Sequence, residues 1–343
     1  MSKPVILTGI RANNSLHIGN YFGALLPMVD MAQNKAAEYQ INLFIPDLHS
    51  LTADLDYANF QSVILNNLKM YVSAGLPLNK ADVYIYRQSF IPAHSELTIL
   101  LNSFIGMGEL SRMTQYKEKS AKFHEDRIPV SLFSYPVLMA ADILAYGASY
   151  IPVGDDQTQH LEFTRDVAIR INNLFGDIFV VPRPVKQQHA LFMKDQGLRI
   201  KDLVDPSKKM SKSSESDKGT IFLNDKPEDA YTKIMASTTD SLGVINYDKA
   251  SQPGISNLLE ILSLVSKKPL DQIISSYQGQ TSYGEFKKIV AAQVRDFLIK
   301  FQSSYDKIDE AEIYDKLKHS EIVMNQQANK TVYRLQKALG LRS

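Results

Sequence analysis

Three short apolar runs constrain this chain most: Val5-Ile6-Leu7, Leu43-Phe44-Ile45 and Val83-Tyr84-Ile85-Tyr86. The first stops at Thr8-Gly9 and the second at Pro46-Asp47. The first two read as buried strands and the third as a further strand. Between the second and third, Phe60, Val63, Ile64, Leu68 and Tyr71 recur at steps of three and four, an amphipathic helix ended by Gly75 and Pro77. Buried strands alternating with helices predict an α/β fold, a doubly wound parallel sheet of the Rossmann type. A fourth apolar stretch, Tyr150-Ile151-Pro152-Val153, carries a proline that suits a strand end or edge.

Beyond about residue 215 strand signals give way to helical ones. Ser256 is a plausible N-cap for a helix over Leu258 to Val265. Phe286, Ile289, Val290, Val294, Phe297, Leu298 and Phe301 mark a longer helix, and Val332, Leu335 and Leu339 a last one. The expected organisation is a Rossmann-type domain over 1–214 and a helical domain over 215–343. The 343 residues, 44% of them hydrophobic, suffice for such a core. No cysteine is present, which removes disulfides, thiolate nucleophiles and thiolate zinc sites. A net charge of +1 advertises no global field for nucleic acid, so any RNA contact must come from local patches. No signal peptide or membrane-spanning run is visible, so a soluble, cytoplasmic protein without membrane partners is expected.

Two short segments point to phosphate chemistry. Leu16-His17-Ile18-Gly19-Asn20 lies where a strand has ended and a helix opens. Glycine there lets the backbone approach a ligand, and a helix start presents free N–H groups to anionic phosphate. Lys209-Met210-Ser211-Lys212-Ser213 sets two lysines three apart among hydroxyl residues, which suits a loop closing over a leaving pyrophosphate. Taken singly, an ordinary helix entry and a solvated basic loop would explain them.

Together the two segments resemble the HIGH and KMSKS signatures of class I aminoacyl-tRNA synthetases. The stretches between them are similar to those of bacterial-type tryptophanyl-tRNA synthetases: Glu109 to Ser120 resembles ERMTQFKEKS, Tyr135 to Leu144 resembles YPxLMAADIL, and Val153-Gly154-Asp155-Asp156-Gln157 resembles VGEDQ. Pro253 to Leu259 extends the likeness into the C-terminal half. Arg11 stands where the family usually has glutamine, and the segment Lys186 to Gly197 is longer than the usual connection and is expected to be a surface loop.

The resemblance implies a tryptophan–tRNA ligase that uses ATP with Mg2+ as substrate, without a tightly bound cofactor or resident metal. It implies tRNA(Trp), L-tryptophan and ATP as partners, and a homodimer. For tryptophan it implies Asp142 facing the indole N–H, Tyr135 and Gln115 at the ammonium group, and Gly9, Met139, Ile143 and Val153 around the ring. For ATP it implies Arg11, Ala12 and Asn13, then His17, Gly19 and Asn20, the adenosine-side loop Gly154, Asp155 and Asp156, and Ile200. Lys209, Met210, Ser211, Lys212 and Ser213 would close over the triphosphate, with Lys119 as a further phosphate partner and Lys208 as a solvated neighbour. His17, Asn20, Lys119, Lys209 and Lys212 would carry catalysis. Asp142 also stands out on physical grounds, because an acid within an apolar helix is costly to bury without a donor. Two rival readings stay open: a tyrosyl-tRNA synthetase, and a non-catalytic RNA-binding paralogue.

Overall fold

The computed structural model describes residues 3–10, 16–52, 55–121, 123–124, 127–154, 157–192, 200–211 and 217–343. Its centre is a four-stranded sheet of β1 (Val5–Gly9), β2 (Gln40–Ile45), β3 (Val83–Arg87) and β4 (Ala148–Tyr150), in the order β3-β2-β1-β4. Every pairing is parallel: Ile6 lies opposite Ile41, and Leu43 opposite Ile85. The chain steps outward from β1 through β2 to β3, then returns to place β4 on the far side of β1. That reversal opens a crevice at the carboxyl ends of β1 and β4, the usual ligand position in such sheets.

The continuous apolar runs have the expected cause. Ile6, Ile41, Leu43, Ile45, Val83 and Ile85 enter one core, while Val5, Leu7, Phe44 and Tyr86 enter a second on the opposite face. The first is covered by the helical segments from Ile18 to Asn34, by Phe60–Ser73, and by Pro253–Ser266 and Tyr283–Tyr305. The second is covered by Ala93–Asn102, Val130–Leu144 and Thr158–Phe175. Helix Phe60–Ser73 ends where Gly75 takes φ +103°, a conformation that strains any residue with a Cβ. Among the described residues no helix is long and apolar enough to cross a membrane.

Side chains reach backbone groups along both sheet edges, where a stray strand could otherwise pair. On β3, Ile85 N donates to Ser320 Oγ at 3.1 Å and Arg87 N to Glu321 Oε1 at 3.3 Å. The Arg87 guanidinium pairs with both oxygens of Glu321, at 2.7 and 2.9 Å. Ser320 and Glu321 belong to the last helix, Glu310–Ala338, which gives Ile313 and Leu317 to one core and Met324 to Leu335 to the other. Beyond β4, Ile151 N donates to Gln188 Oε1 at 2.7 Å, and Gln188 Nε2 donates to Arg183 O at 2.8 Å.

Three sequence expectations need correction. The segment from Lys186 is not a surface loop at its start: Val185–Phe192 is helical and Gln188 is buried against β4, while 193–199 lie outside the described residues. Ser256 is no N-cap; the helix begins at Pro253, a residue pre-set for a first helical turn, and Ser256 is buried inside it. The last helix starts far earlier than Val332, at Glu310.

Candidate active site

The crevice holds a cavity of about 290 Å³, near the low end for small-molecule sites. Leu7, Thr8 and Gly9 from β1, Phe44, Pro46 and His49 around the end of β2, and Ile151, Pro152 and Val153 beyond β4 form part of its wall. Helix Val130–Leu144 supplies Tyr135, Met139, Asp142 and Ile143, one face at helical spacing. Lys119 and Gln157 complete the polar part of the lining together with Thr52. Of the residues implied for the amino acid, Gly9, Tyr135, Met139, Asp142, Ile143 and Val153 therefore meet in one cavity. Gln115 is not in that wall; it lies on helix Thr114–Ser120 and bonds Glu118 at 3.4 Å. Tyr135 Oη is 2.7 Å from His160 Nε2, and the Lys119 ammonium sits 5.4 Å from the Tyr135 ring centre.

Asp142 is fully buried, and it does not stand alone. His49 Nε2 reaches its Oδ2 at 2.8 Å. Gln88 Nε2 reaches Oδ1 at 2.7 Å, and His94 Nδ1 reaches the same oxygen at 2.5 Å. Burial opposes ionisation, but the hydrogen bonds from His49 and His94 outweigh it and hold the carboxyl below its usual range. An ionised carboxylate only accepts, so both histidine nitrogens facing it carry protons. From the sequence Asp142 is expected to await one donor; the protein already provides three. His49, Gln88 and His94 were missed because each is a single polar residue in its own segment. The available signal was position, since His49 follows the end of β2 while Gln88 and His94 follow the end of β3. Asp47 ties these two strand ends together by accepting from Ser89 N at 2.8 Å and Ser89 Oγ at 2.5 Å.

The described parts of the two signature segments lie close together. Helix Ile18–Asn20 opens with a reciprocal cap: Asn20 N donates to His17 Nδ1 and His17 N to Asn20 Oδ1, both at 3.3 Å. Ile18 N donates to Ile221 O at 3.0 Å and Leu223 N to Leu16 O at 2.9 Å, so the chain after KMSKS is stitched to the chain at HIGN. A Cβ on Gly19 would sit 3.8 Å from Ile200 Cβ, which places Ile200 over the same turn. Met210 N donates to Ile200 O at 3.1 Å, and the Met210 side chain is buried in the core, whereas Lys209 is exposed. Lys208 is exposed and pairs with Asp205 at 3.0 Å. Ser211 O accepts from Thr220 Oγ1 at 3.0 Å, and Gly154 is exposed beside the cavity loop. Asn257, within the Pro253 to Leu259 segment, accepts from Lys201 N at 2.8 Å and donates to Lys201 O at 3.1 Å. Arg11, Ala12, Asn13, Asp155, Asp156, Lys212 and Ser213 lie outside the described residues.

A family model described as class I tRNA synthetases (W and Y) matches residues 1–299. The chain belongs to this family of class I tRNA synthetases. A tryptophan–tRNA ligase of Malacoplasma penetrans (strain HF-2) is 41% identical over 341 residues, covering 98% of both chains. One from Buchnera aphidicola is 40% identical over 345 residues, covering 99% of this chain and 98% of that one. Among solved structures, the tryptophanyl-tRNA synthetase of Mycoplasma pneumoniae superposes with a TM-score of 0.79 at 32% identity, covering 99% and 98% of the two chains. That of Campylobacter jejuni, complexed with ADP and tryptophan, gives 0.80 at 27% identity over 98% and 99%. As a class I synthetase the chain is an aminoacyl-tRNA ligase, and the crevice of its Rossmann-like sheet is where that chemistry belongs.

Proposed function

We propose that this synthetase is a cytoplasmic tryptophan–tRNA ligase: it activates L-tryptophan with MgATP and transfers it to tRNA(Trp). The observation that carries the reading is an ionised, buried Asp142 in the wall of an otherwise largely apolar cavity. An indole offers one N–H donor and no acceptor, so it matches one carboxylate among apolar walls. Phenylalanine would leave one acceptor site of that carboxylate unfilled, and such discrimination needs no editing site.

The reaction requires no protein nucleophile. The tryptophan carboxylate attacks the α-phosphorus of ATP, pyrophosphate leaves, and tryptophanyl-adenylate forms. The terminal ribose hydroxyl of the tRNA then attacks the adenylate carbonyl and AMP leaves. The protein contributes positioning and charge stabilisation. Tyr135 and Gln115 hold the ammonium group, and His17, Gly19 and Asn20 lie beneath the phosphates. Ile200 and the loop at Gly154 to Asp156, with Arg11 to Asn13, receive the nucleoside side. Lys119, Lys209 and Lys212, with Met210, Ser211 and Ser213 around them, neutralise the leaving pyrophosphate. ATP–pyrophosphate exchange with each amino acid tests the reading. Exchange with tryptophan and not tyrosine is expected; exchange with tyrosine alone overturns it, and none with either favours a silent paralogue.

Residues 215–343 form the part that reads the anticodon, which predicts footprinting protection of the anticodon loop. The active form is a homodimer. Ile99, Met107 and Val130 are 68%, 72% and 79% exposed, the first two on helices that both pack against the one that carries Val130, and exposed apolar side chains suit contact with a second copy. A monomer in sedimentation at working concentration would overturn that assignment.

A further inference from the structure

Asp142 and His49 line the cavity, whereas Gln88 and His94, both fully buried, stand behind them and out of its wall. Their two N–H groups converge on Asp142 Oδ1, at 2.7 and 2.5 Å, and His49 takes one site on Oδ2. An ionised carboxylate offers about four acceptor sites, two on each oxygen. Oδ1 is then filled from behind, and one site is left on Oδ2.

We propose that Gln88 and His94 are specificity-determining positioning residues, which lock the Asp142 carboxylate so that a single acceptor site remains for the ring N–H of the amino acid. This rests on the tryptophan reading above and extends it to residues that never touch the substrate. Each is itself oriented. Gln88 Oε1 accepts from Leu48 N at 3.2 Å, which turns its amide N–H towards Asp142. His94 Nε2 meets Tyr146 Oη at 2.8 Å, so the ring is held at both nitrogens with Nδ1 turned to Asp142. Tyr146 thereby fixes the ring's orientation, much as outer partners fix metal-bound histidines. Without these donors the carboxylate is free to rotate or to take up a proton, and the acceptor is no longer aimed.

The test compares tryptophan with an analogue of the same shape whose ring N–H is replaced by sulfur, both in ATP–pyrophosphate exchange. His94→Leu and Gln88→Leu should each raise KM for tryptophan about ten- to hundredfold, the loss of one hydrogen bond to a buried charge, with a much smaller change in kcat. KM for the sulfur analogue should stay within about threefold, so the preference for tryptophan collapses. His94→Asn, whose amide N–H stands in for Nδ1–H, should restore most of it, and Tyr146→Phe should weaken it about threefold. Equal rises in both KM values would show mere pocket damage and overturn the inference, as would an unmoved ratio. If either leucine variant fails to fold, the Asn and Phe variants carry the same ratio test. A wild-type protein that exchanges with tyrosine and not tryptophan would overturn the reading beneath; tryptophan exchange with an unmoved ratio overturns the inference alone.

Discussion

Replacing Asn257 by leucine asks how much of the catalytic arrangement rests on a side chain remote from the cavity. Asn257 is 3% exposed and holds Lys201 at both backbone groups, at 2.8 and 3.1 Å. Lys201 bridges to Lys209, so this clamp sets the hairpin that presents the KMSKS segment. Each hydrogen bond contributes about 1 kcal/mol net, and a backbone group left unpaired costs about 1–3 kcal/mol when buried. Lys201 is only half-buried, so water recovers part of the loss, and about 2–3 kcal/mol is expected. If all of it falls on the hairpin, exchange at saturating tryptophan and ATP should drop by roughly 30- to 150-fold. If instead it falls on global unfolding, the urea midpoint should shift while the rate holds. Asn257→Asp keeps the acceptor for Lys201 N but sets a second acceptor against Lys201 O, and should lose at least half as much. An exchange rate within about twofold of wild type, with an unmoved urea midpoint, would refute the reasoning.

Asp142→Asn should weaken tryptophan binding about a hundredfold. The chain contains no tryptophan of its own, so the ligand's fluorescence reports binding directly. The folded carboxyl of Asp142 titrates below its ordinary 3.8, so its contribution to stability is present above that value and lost as pH falls through the lower folded one. Urea midpoints of wild type and Asp142→Asn should therefore converge below pH 3.8, and a constant gap would contradict this. In Gly254→Ala the new Cβ would fall on Thr238 O, with Thr239 Cα 3.3 Å away, and Thr238 N is itself tied to Leu203 O at 2.8 Å. The expected loss is about 3 kcal/mol in urea unfolding. Glu321→Gln, which weakens the pair that closes β3, should lower stability by about 2 kcal/mol, and no shift would mean that the edge is satisfied otherwise.

Periodicity found the elements whose faces meet apolar neighbours. β1, β2 and β3 were legible because two cores bury them on both sides, and helix Phe60–Ser73 because one face alone is apolar. It failed where a polar residue serves a sheet edge. Ser320 and Glu321 turn towards β3 and interrupt the apolar pattern of the last helix, so only its end was seen. Gln188 does the same against β4 and disguised Val185–Phe192 as a loop. In the site, Asp142 was legible because an acid in an apolar helix demands an explanation. Its partners were not, because three segments after two different strands converge on it only once the sheet has formed.

The sheet edges also bear on how the two halves of the chain depend on each other. The last helix belongs to the part proposed to read the anticodon, yet it closes β3, and the residue after Arg87 in that strand's exit is Gln88, which holds Asp142. Removing everything beyond about residue 230 would therefore strip Ser320 and Glu321 from Ile85 and Arg87, and would uncover backbone donors, the nearer of them next to Gln88, which holds Asp142. Loss of charging in such a truncation follows from damage to the pocket as readily as from loss of the anticodon reader. The two causes separate in the first half-reaction, which uses no tRNA: a damaged pocket lowers ATP–pyrophosphate exchange, whereas a missing anticodon contact leaves exchange intact and lowers charging alone.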